Sequence, residues 1–257
     1  MTPSLPYSTG DAFPRDAKAR FLAAIDTITD LGDGPQRLCA ACVMVLPVQR
    51  AGIVLNVSGI GLEVLAASDA VAEKVEWTQV TLGEGPAVDS IAAAVPMSLV
   101  DPGRGDRWPV FLSEIRNLGL GGIYAVPLNV GAIKVGALDL YSAAGETLCA
   151  QDMGDAVAIA EILTAVLLSI GPDGRLPDSL GPWWNQPLST REVHQATGMT
   201  MAQLGIDARS AYVRLQAFAF GNRRLLNDVA RDVVTRRLRF HPESDEGLPP
   251  GQEAPKC

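Results

Sequence analysis

The sequence predicts an α+β protein in two parts, an antiparallel sheet with flanking helices followed by an all-α bundle of three helices. Three observations carry that expectation. Hydrophobic spacing switches from helical to strand-like and back twice before residue 170. The strand-like runs come in pairs joined by turn residues, which favours antiparallel hairpins over the crossovers of a parallel sheet. The charge then reverses: residues 189–240 hold nine Arg, no Lys and four acids, a balance of +5 within a chain of net charge −8. A small basic helical unit on an acidic body suggests a nucleic-acid-binding output joined to something that controls it. A globally acidic chain meets phosphate only where its positive charge is gathered.

Taken in order, residues 1–14 are interrupted by Pro3, Pro6 and Pro14 and lack the apolar core of a signal peptide, so they read as a disordered leader. The first globular unit is expected over 15–170. It opens with a helix from Asp16 to Leu31, with Phe21, Ile25, Ile28 and Leu31 on one stripe, and a second from Pro35 to Leu46, with Pro47 after its end. Ala51–Val57 and Leu62–Ala67 form a hairpin across Ser58-Gly59-Ile60-Gly61. Asp69 caps a helix to Trp77, and Thr81-Leu82-Gly83-Glu84-Gly85-Pro86 leads as a loop into another from Pro86 to Ala94. Pro96–Val100 is a short strand and Trp108–Leu118 a helix stopped by Gly119. Ile123–Leu128 and Val135–Tyr141 make a second hairpin, and a helix over 152–170 completes the unit. Residues 171–188 are a Pro- and Gly-rich linker carrying Trp183 and Trp184.

The second unit is expected over 189–240. Ser189-Thr190-Arg191-Glu192 reads as a capping box, followed by a helical stripe through Val193, Ala196, Thr200 and Leu204 to a stop at Gly205. Asp207 caps a second helix with Ala211, Leu215 and Ala219 on one face, ended by Gly221. A third shows Leu226, Val229, Ala230, Val233 and Leu238 at helical spacing. Residues 241–257 have no core-forming pattern and read as a disordered tail.

Several chemistries are weighed on the residues alone. Closely spaced glycines at 83 and 85 invite a phosphate loop, but no Gly-Lys-Ser/Thr ending follows and Glu84 would repel phosphate. Cys39-x-x-Cys42 resembles a redox pair in spacing only, since it lies late in an apolar helix. A redox enzyme using Cys39, Cys42 or Cys149 stands as a rival reading. His194 and His241 sit apart from any nucleophile, and no Cys/His set has metal-ligand spacing, so neither catalysis nor a metal is expected. The apolar run 156–170 contains Glu161 and falls short of the roughly 20 residues that cross a bilayer. With no disulfide framework, a cytoplasmic protein is expected.

Ala196-x-Gly198-x-x-Met201, then Ala211, Leu215 and Ala219, then Asn222-Arg223 and Leu225-x-x-Asp228-Val229-Ala230 resemble the ANTAR domain. Upstream, Thr81-Leu-Gly-Glu-Gly-Pro-Ala-Val-Asp89, Arg107-Trp-Pro-Val-Phe111, Pro127-Leu128 and Gly136-Ala-Leu-Asp-Leu-Tyr141 resemble the GAF sensor domain of actinobacterial GAF–ANTAR regulators. Two positions depart from the pattern. Ser210 stands where an acid is usual, and Phe220 stands where Met is frequent.

The resemblance implies a transcription antitermination regulator whose three-helix module binds paired RNA stem-loops near a terminator, as a dimer. Loops offer unstacked bases, and arginine can both fork onto phosphate and stack on a base. Arg191, Arg214, Arg223, Arg224, Arg231 and Arg236 are the expected contacts, although surface arginines also serve as solvated helix faces. In the sensor unit, Glu84, Asp89, Trp108 and Asp139 are candidate pocket residues for a small-molecule ligand, and no cofactor is identified. The apolar positions Ala156, Ile159, Ala160, Leu163, Val166, Leu167 and Ile170 suggest a homodimer through the 152–170 helix. Three small helices with an arginine-rich end also describe helix-turn-helix modules, so a DNA-binding transcription factor with a sensor domain remains the alternative.

Overall fold

The computed structural model describes residues 16–29, 31, 34–57, 61–100, 102, 107–168 and 188–241, with backbone only at 188–190. They form two compact units divided before Leu188. The leader, most of the linker with Trp183 and Trp184, and the tail beyond His241 lie outside the described residues.

In the first unit, β1 (Arg50–Val57), β2 (Gly61–Ala67), β3 (Met97–Val100), β4 (Leu120–Val130) and β5 (Ile133–Ala143) form one sheet in the order β2-β1-β5-β4-β3. β5 pairs antiparallel with β1 and β4, and β4 with β3, so the expected α+β class is the one found. The hairpin β4–β5 is longer than its apolar residues suggested, because polar Asn129 and Lys134 continue the ladder to the turn at Gly131.

Helices cover both faces. On one side α1 (Ala17–Thr27), α2 (Gln36–Val45) and α6 (Ala150–Leu168) pack on Ile53, Tyr124, Val126, Leu128, Leu138 and Leu140. On the other, α3 (Ala70–Leu82), α4 (Pro86–Ala93) and α5 (Pro109–Ile115) cover Ile123, Ala137 and Tyr141. The strands thus send alternate side chains to opposite faces. Asp69 caps α3 as expected, accepting the Ala72 N–H at 2.8 Å. The helix then runs beyond Trp77 to Leu82, taking in the start of the expected loop, and stops at Gly83 with φ 62°.

In the core, the α6 stripe is partnered within the unit and the α2 cysteines are buried as their apolar helix suggests. Ala156, Ile159, Ala160, Leu163 and Val166 of α6 are buried within this unit, together with Phe21 and Ile25 of α1. Their breadth follows from packing against both the sheet and α1. Val157 and Leu168 are the large apolar residues that α6 leaves exposed, and Ile170 lies outside the described residues. Cys39 and Cys42 are fully buried in α2, and burial pushes both thiols up, away from the reactive thiolate.

A polar niche lies under α3. Asp139 sits on β5 with Gly52 and Ala125 as its cross-strand neighbours. These small residues leave room for Glu76 and Gln79 to dip from α3 onto the sheet: a Cβ at Gly52 would stand 1.9 Å from Glu76 Oε1. Glu76, Gln79 and Asp139 are all fully buried. Gln79 Nε2 donates to Asp139 Oδ2 at 2.6 Å, its Oε1 accepts the Ala87 N–H at 2.8 Å, and the Tyr141 hydroxyl donates to Glu76. Asp139 Oδ1 meets no donor while both acids are ionised. The two carboxyls adjoin, so a proton kept on Glu76 supplies the missing donor. Burial pushes Glu76 well up, the Asp139 charge adds to it, and burial raises Asp139 to about 6.

The second unit is α7 (Leu188–Leu204), α8 (Ala208–Gly221) and α9 (Leu226–Val234). Val193, Ala196, Ala211, Leu215, Ala219, Leu226, Val229, Ala230 and Val233 are buried between them. Asp207 caps α8 as expected, accepting the Ser210 N–H at 2.9 Å. α7 starts one residue before the expected cap at Ser189, whose side chain lies outside the described residues. α9 ends at Val234, earlier than the stripe suggested, and Phe240 then folds back onto Phe218, ring centroids 5.4 Å apart.

Two outcomes follow. Gly52→Ala should destabilise the sheet unit by about 1–3 kcal/mol, because the added methyl displaces a buried carboxyl; a denaturant titration measures it. Asp139 binds its proton more tightly folded than unfolded, so the stability it contributes is fully present below about pH 4 and is lost as pH rises through about 6. Asp139→Asn should therefore gain stability relative to wild type as pH rises across that window. A difference that stays constant with pH would contradict the shared-proton account.

Candidate nucleic-acid interface

Helix ends, more than helix faces, present the arginines of the second unit. α7 stops on Gly205 with φ 68°, as its sequence suggests. At the end of α8, the Arg223 N–H donates to the Phe220 carbonyl at 3.1 Å and the Arg224 N–H to Ala219 at 2.9 Å. α9 repeats the motif, with Arg236 N–H donating to Val233 at 3.0 Å and Arg237 N–H to Asp232 at 2.8 Å. This double bond pattern places the residue after the cap in the left-handed region, where glycine is usual. Here it holds Arg223 at φ 52° and Arg236 at φ 60°, both exposed. A side chain in that conformation costs on the order of 1–2 kcal/mol. Such strain persists where the side chain is worth more than the relaxed backbone.

The six expected arginines separate into two groups. Arg191, Arg223 and Arg236 are exposed, and Arg214 is half-buried on α8. Arg224 and Arg231 instead brace the bundle. Arg224 donates to Asp232 at 2.7 Å and to the Asp228 carbonyl at 3.2 Å, holding the α8–α9 corner. Arg231 reaches Glu192 of α7 at 3.3 Å and Asp228 at 3.5 Å. The structure also exposes Arg209 and Arg239, which stood outside the expected contact set. Arg209 had a signal: it lies in the first turn of α8, where the helix dipole disfavours a cation.

Both departures from the ANTAR pattern are accommodated. Ser210 joins the cap of α8, its hydroxyl donating to Asp207 Oδ2 at 2.8 Å. Phe220 points outward with 55% of its surface exposed, so its bulk does not disturb the alanine contacts.

The four expected pocket residues of the sheet unit are occupied by other parts of the chain. Glu84 Oε1 accepts the Val110 and Phe111 N–H groups, both at 3.0 Å, so it takes the anion position at the start of α5. Asp89 Oδ2 accepts Trp108 Nε1 at 2.8 Å and Arg107 at 2.6 Å, while Arg107 lies over the Trp108 ring at 4.6 Å. Asp139 belongs to the niche with Glu76 and Gln79. Those last two were missed in the sequence, where a buried Glu beside Trp77 reads as one turn of an amphipathic helix. Among the described residues no group of three side chains could hold a metal ion, and no helix is long and apolar enough to cross a membrane.

Residues 187–234 match the model of the ANTAR domain family. Solved structures similar to the chain include the GAF domain of an Acinetobacter phosphoenolpyruvate-protein phosphotransferase (13% identity, 63% of this chain and 96% of that one, TM-score 0.48). Others are the GAF domain of the corresponding Coxiella burnetii protein (16%, 58% and 89%, 0.44) and a type II free methionine-R-sulfoxide reductase from Thermoplasma acidophilum (16%, 52% and 89%, 0.41). The architecture of the first unit stands on its own strand order and layering. No curated protein matches the chain. Residues 187–234 thus match the ANTAR domain family, and they follow a unit built on a five-stranded sheet with helices on both faces.

Proposed function

We propose that the chain is a transcription antitermination regulator. Its ANTAR domain binds paired RNA stem-loops near a terminator so that the terminator cannot form, and the sheet unit governs when it does so. The observation that carries this reading is the coincidence of the ANTAR match with the basic stretch of an otherwise acidic chain. Local geometry supports it. Phe220, an exposed aromatic, precedes the strained and exposed Arg223 by one helical turn, a pairing suited to stack on an unstacked base and meet its phosphate. No catalytic step is included, and the protein acts in the cytoplasm, where nascent transcripts are made.

Two copies acting together would engage two stem-loops, and linkage would strengthen two moderate contacts. The inward side of α6 serves its own core, so the homodimer is proposed through the outward side carrying Val157 and Leu168. Val157→Arg with Leu168→Arg should then convert a sedimenting dimer into a folded monomer; an unchanged sedimentation coefficient rejects this surface.

Binding is tested by fluorescence anisotropy of a tandem stem-loop RNA against duplex DNA across salt concentrations. The RNA should bind more tightly. Replacing Arg191, Arg223 and Arg236 with Ala should weaken it and flatten the slope of log affinity against log salt by about 0.7 per lost phosphate contact. Equal affinity for duplex DNA would favour a DNA-binding regulator. Arg223→Gly separates strain from function: it should raise the stability of the ANTAR unit by up to about 1 kcal/mol while lowering RNA affinity.

A further inference from the structure

One carboxylate joins the two helix ends that carry the strained arginines. Asp232 sits in the last turn of α9. Its Oδ2 accepts Arg224 Nη2 from the end of α8 at 2.7 Å, and its Oδ1 faces Arg237 Nη1, just past α9, at 3.6 Å. Its carbonyl accepts the Arg237 and Leu238 N–H groups at 2.8 and 3.0 Å. Arg224 Nη2 also reaches the Asp228 carbonyl, one turn earlier on α9, at 3.2 Å. The residue immediately before each of these partners is a left-handed arginine: Arg223 at φ 52° precedes Arg224, and Arg236 at φ 60° precedes Arg237.

Helix ends fray, and fraying would re-aim any side chain that leaves them. Asp232 opposes this at both ends. Its side chain is only 21% exposed, and it lies between two guanidinium groups that would otherwise repel each other across the corner. A cation anywhere in the last turn satisfies the helix dipole, so the dipole does not account for arginine at the one position that costs strain. Two strained arginines, each held through its neighbour to a shared acid, keep a set spacing that two independent flexible side chains lack. Glu192 offers the contrast: it pairs with Arg231 at 3.3 Å, which adjoins neither strained residue in the chain.

We propose that Asp232 is a positioning residue: by anchoring Arg224 and Arg237, it sets Arg223 and Arg236 as two arms of one grip on phosphates of the looped strand. The inference rests on the RNA-binding reading above and adds to it the residue that fixes the geometry of two contacts. Its consequence runs opposite in sign to bulk electrostatics. An acid on an RNA-binding surface repels phosphate, so removing it strengthens binding wherever its charge alone matters. Here its removal weakens binding, because two phosphate contacts lose their spacing.

The test uses the full chain and a tandem stem-loop RNA that wild type selects from a pool with randomised loops, titrated across salt concentrations. Asp232→Asn should lower affinity about fivefold and flatten the salt slope, although the chain becomes more positive. Glu192→Gln, which removes an equal charge from the same bundle, should leave affinity unchanged or raise it. In a chain with Arg223 and Arg236 both replaced by Ala, Asp232→Asn should cost nothing further, whereas beside Arg191→Ala its loss should persist. Arg224→Lys keeps the net charge but loses the planar fork, and should reproduce the loss. It carries the test if thermal melts show that Asp232→Asn unfolds below the assay temperature. Affinity that holds or rises in Asp232→Asn or Arg224→Lys, an equal loss in Glu192→Gln, or a loss that persists without Arg223 and Arg236 overturns the positioning role and leaves the RNA reading standing. A selection that recovers no RNA overturns both.

Discussion

Close approach of helices on alanine is the constraint from which the ANTAR unit follows. A three-helix bundle this small has little apolar surface to bury and cannot tolerate gaps. Ala196, Ala211, Ala219 and Ala230 are all completely buried, bringing backbones near enough for Leu215, Val229 and Val233 to fill what remains. Alanine at the contacts also keeps long side chains out of the core, so the arginines have only the surface and the helix ends. Bundle acids then divide them. Asp228, Asp232 and Glu192 engage Arg224 and Arg231 as braces, leaving Arg191, Arg209, Arg223, Arg236 and Arg239 outward. Exposed ion pairs of this kind contribute modestly, typically under about 1 kcal/mol each. Their service is to fix the corner from which Arg223 projects.

The sheet unit solves a different problem. Helices on both faces leave β5 buried along most of its length, yet Asp139 sits in its middle. Two uncompensated carboxylates there would be costly, and the arrangement is tolerable because Gln79 and Tyr141 donate to them and one proton stays between them. Gln79 joins helix, sheet and the start of α4 in one connection. The niche therefore ties the α3–α4 corner to the centre of the sheet through one side chain.

Much of this was legible in the residues, and the failures have physical reasons. Caps at Asp69 and Asp207, the stop at Gly205 and the alternation of β4 and β5 are local signals, and each lies where it was expected. Pairing of β1 with β5 depends on contacts far apart in sequence. The breadth of the α6 apolar surface was read as room for a partner because the packing of α1 against it is not written in α6 itself. Arg224 and Arg231 looked equivalent to Arg223, since only the fold decides which guanidinium meets an acid. Gly221 marks the end of α8 as expected, whereas α9 stops at Val234 with Arg236 in the position where glycine is usual, so its end has no local signal. The return of Phe240 onto Phe218 is a contact that no helical period announces.

We propose that the outward guanidinium groups of this bundle meet looped RNA in the cell. Cross-linking the intact protein to nucleic acid in living cells, followed by sequencing of the bound fragments, tests it most directly. The account predicts adjacent pairs of short stem-loops beside transcription terminators, lost when Arg191, Arg223 and Arg236 are replaced together. Recovery of duplex DNA, or of RNA fragments without paired stem-loops, would contradict it.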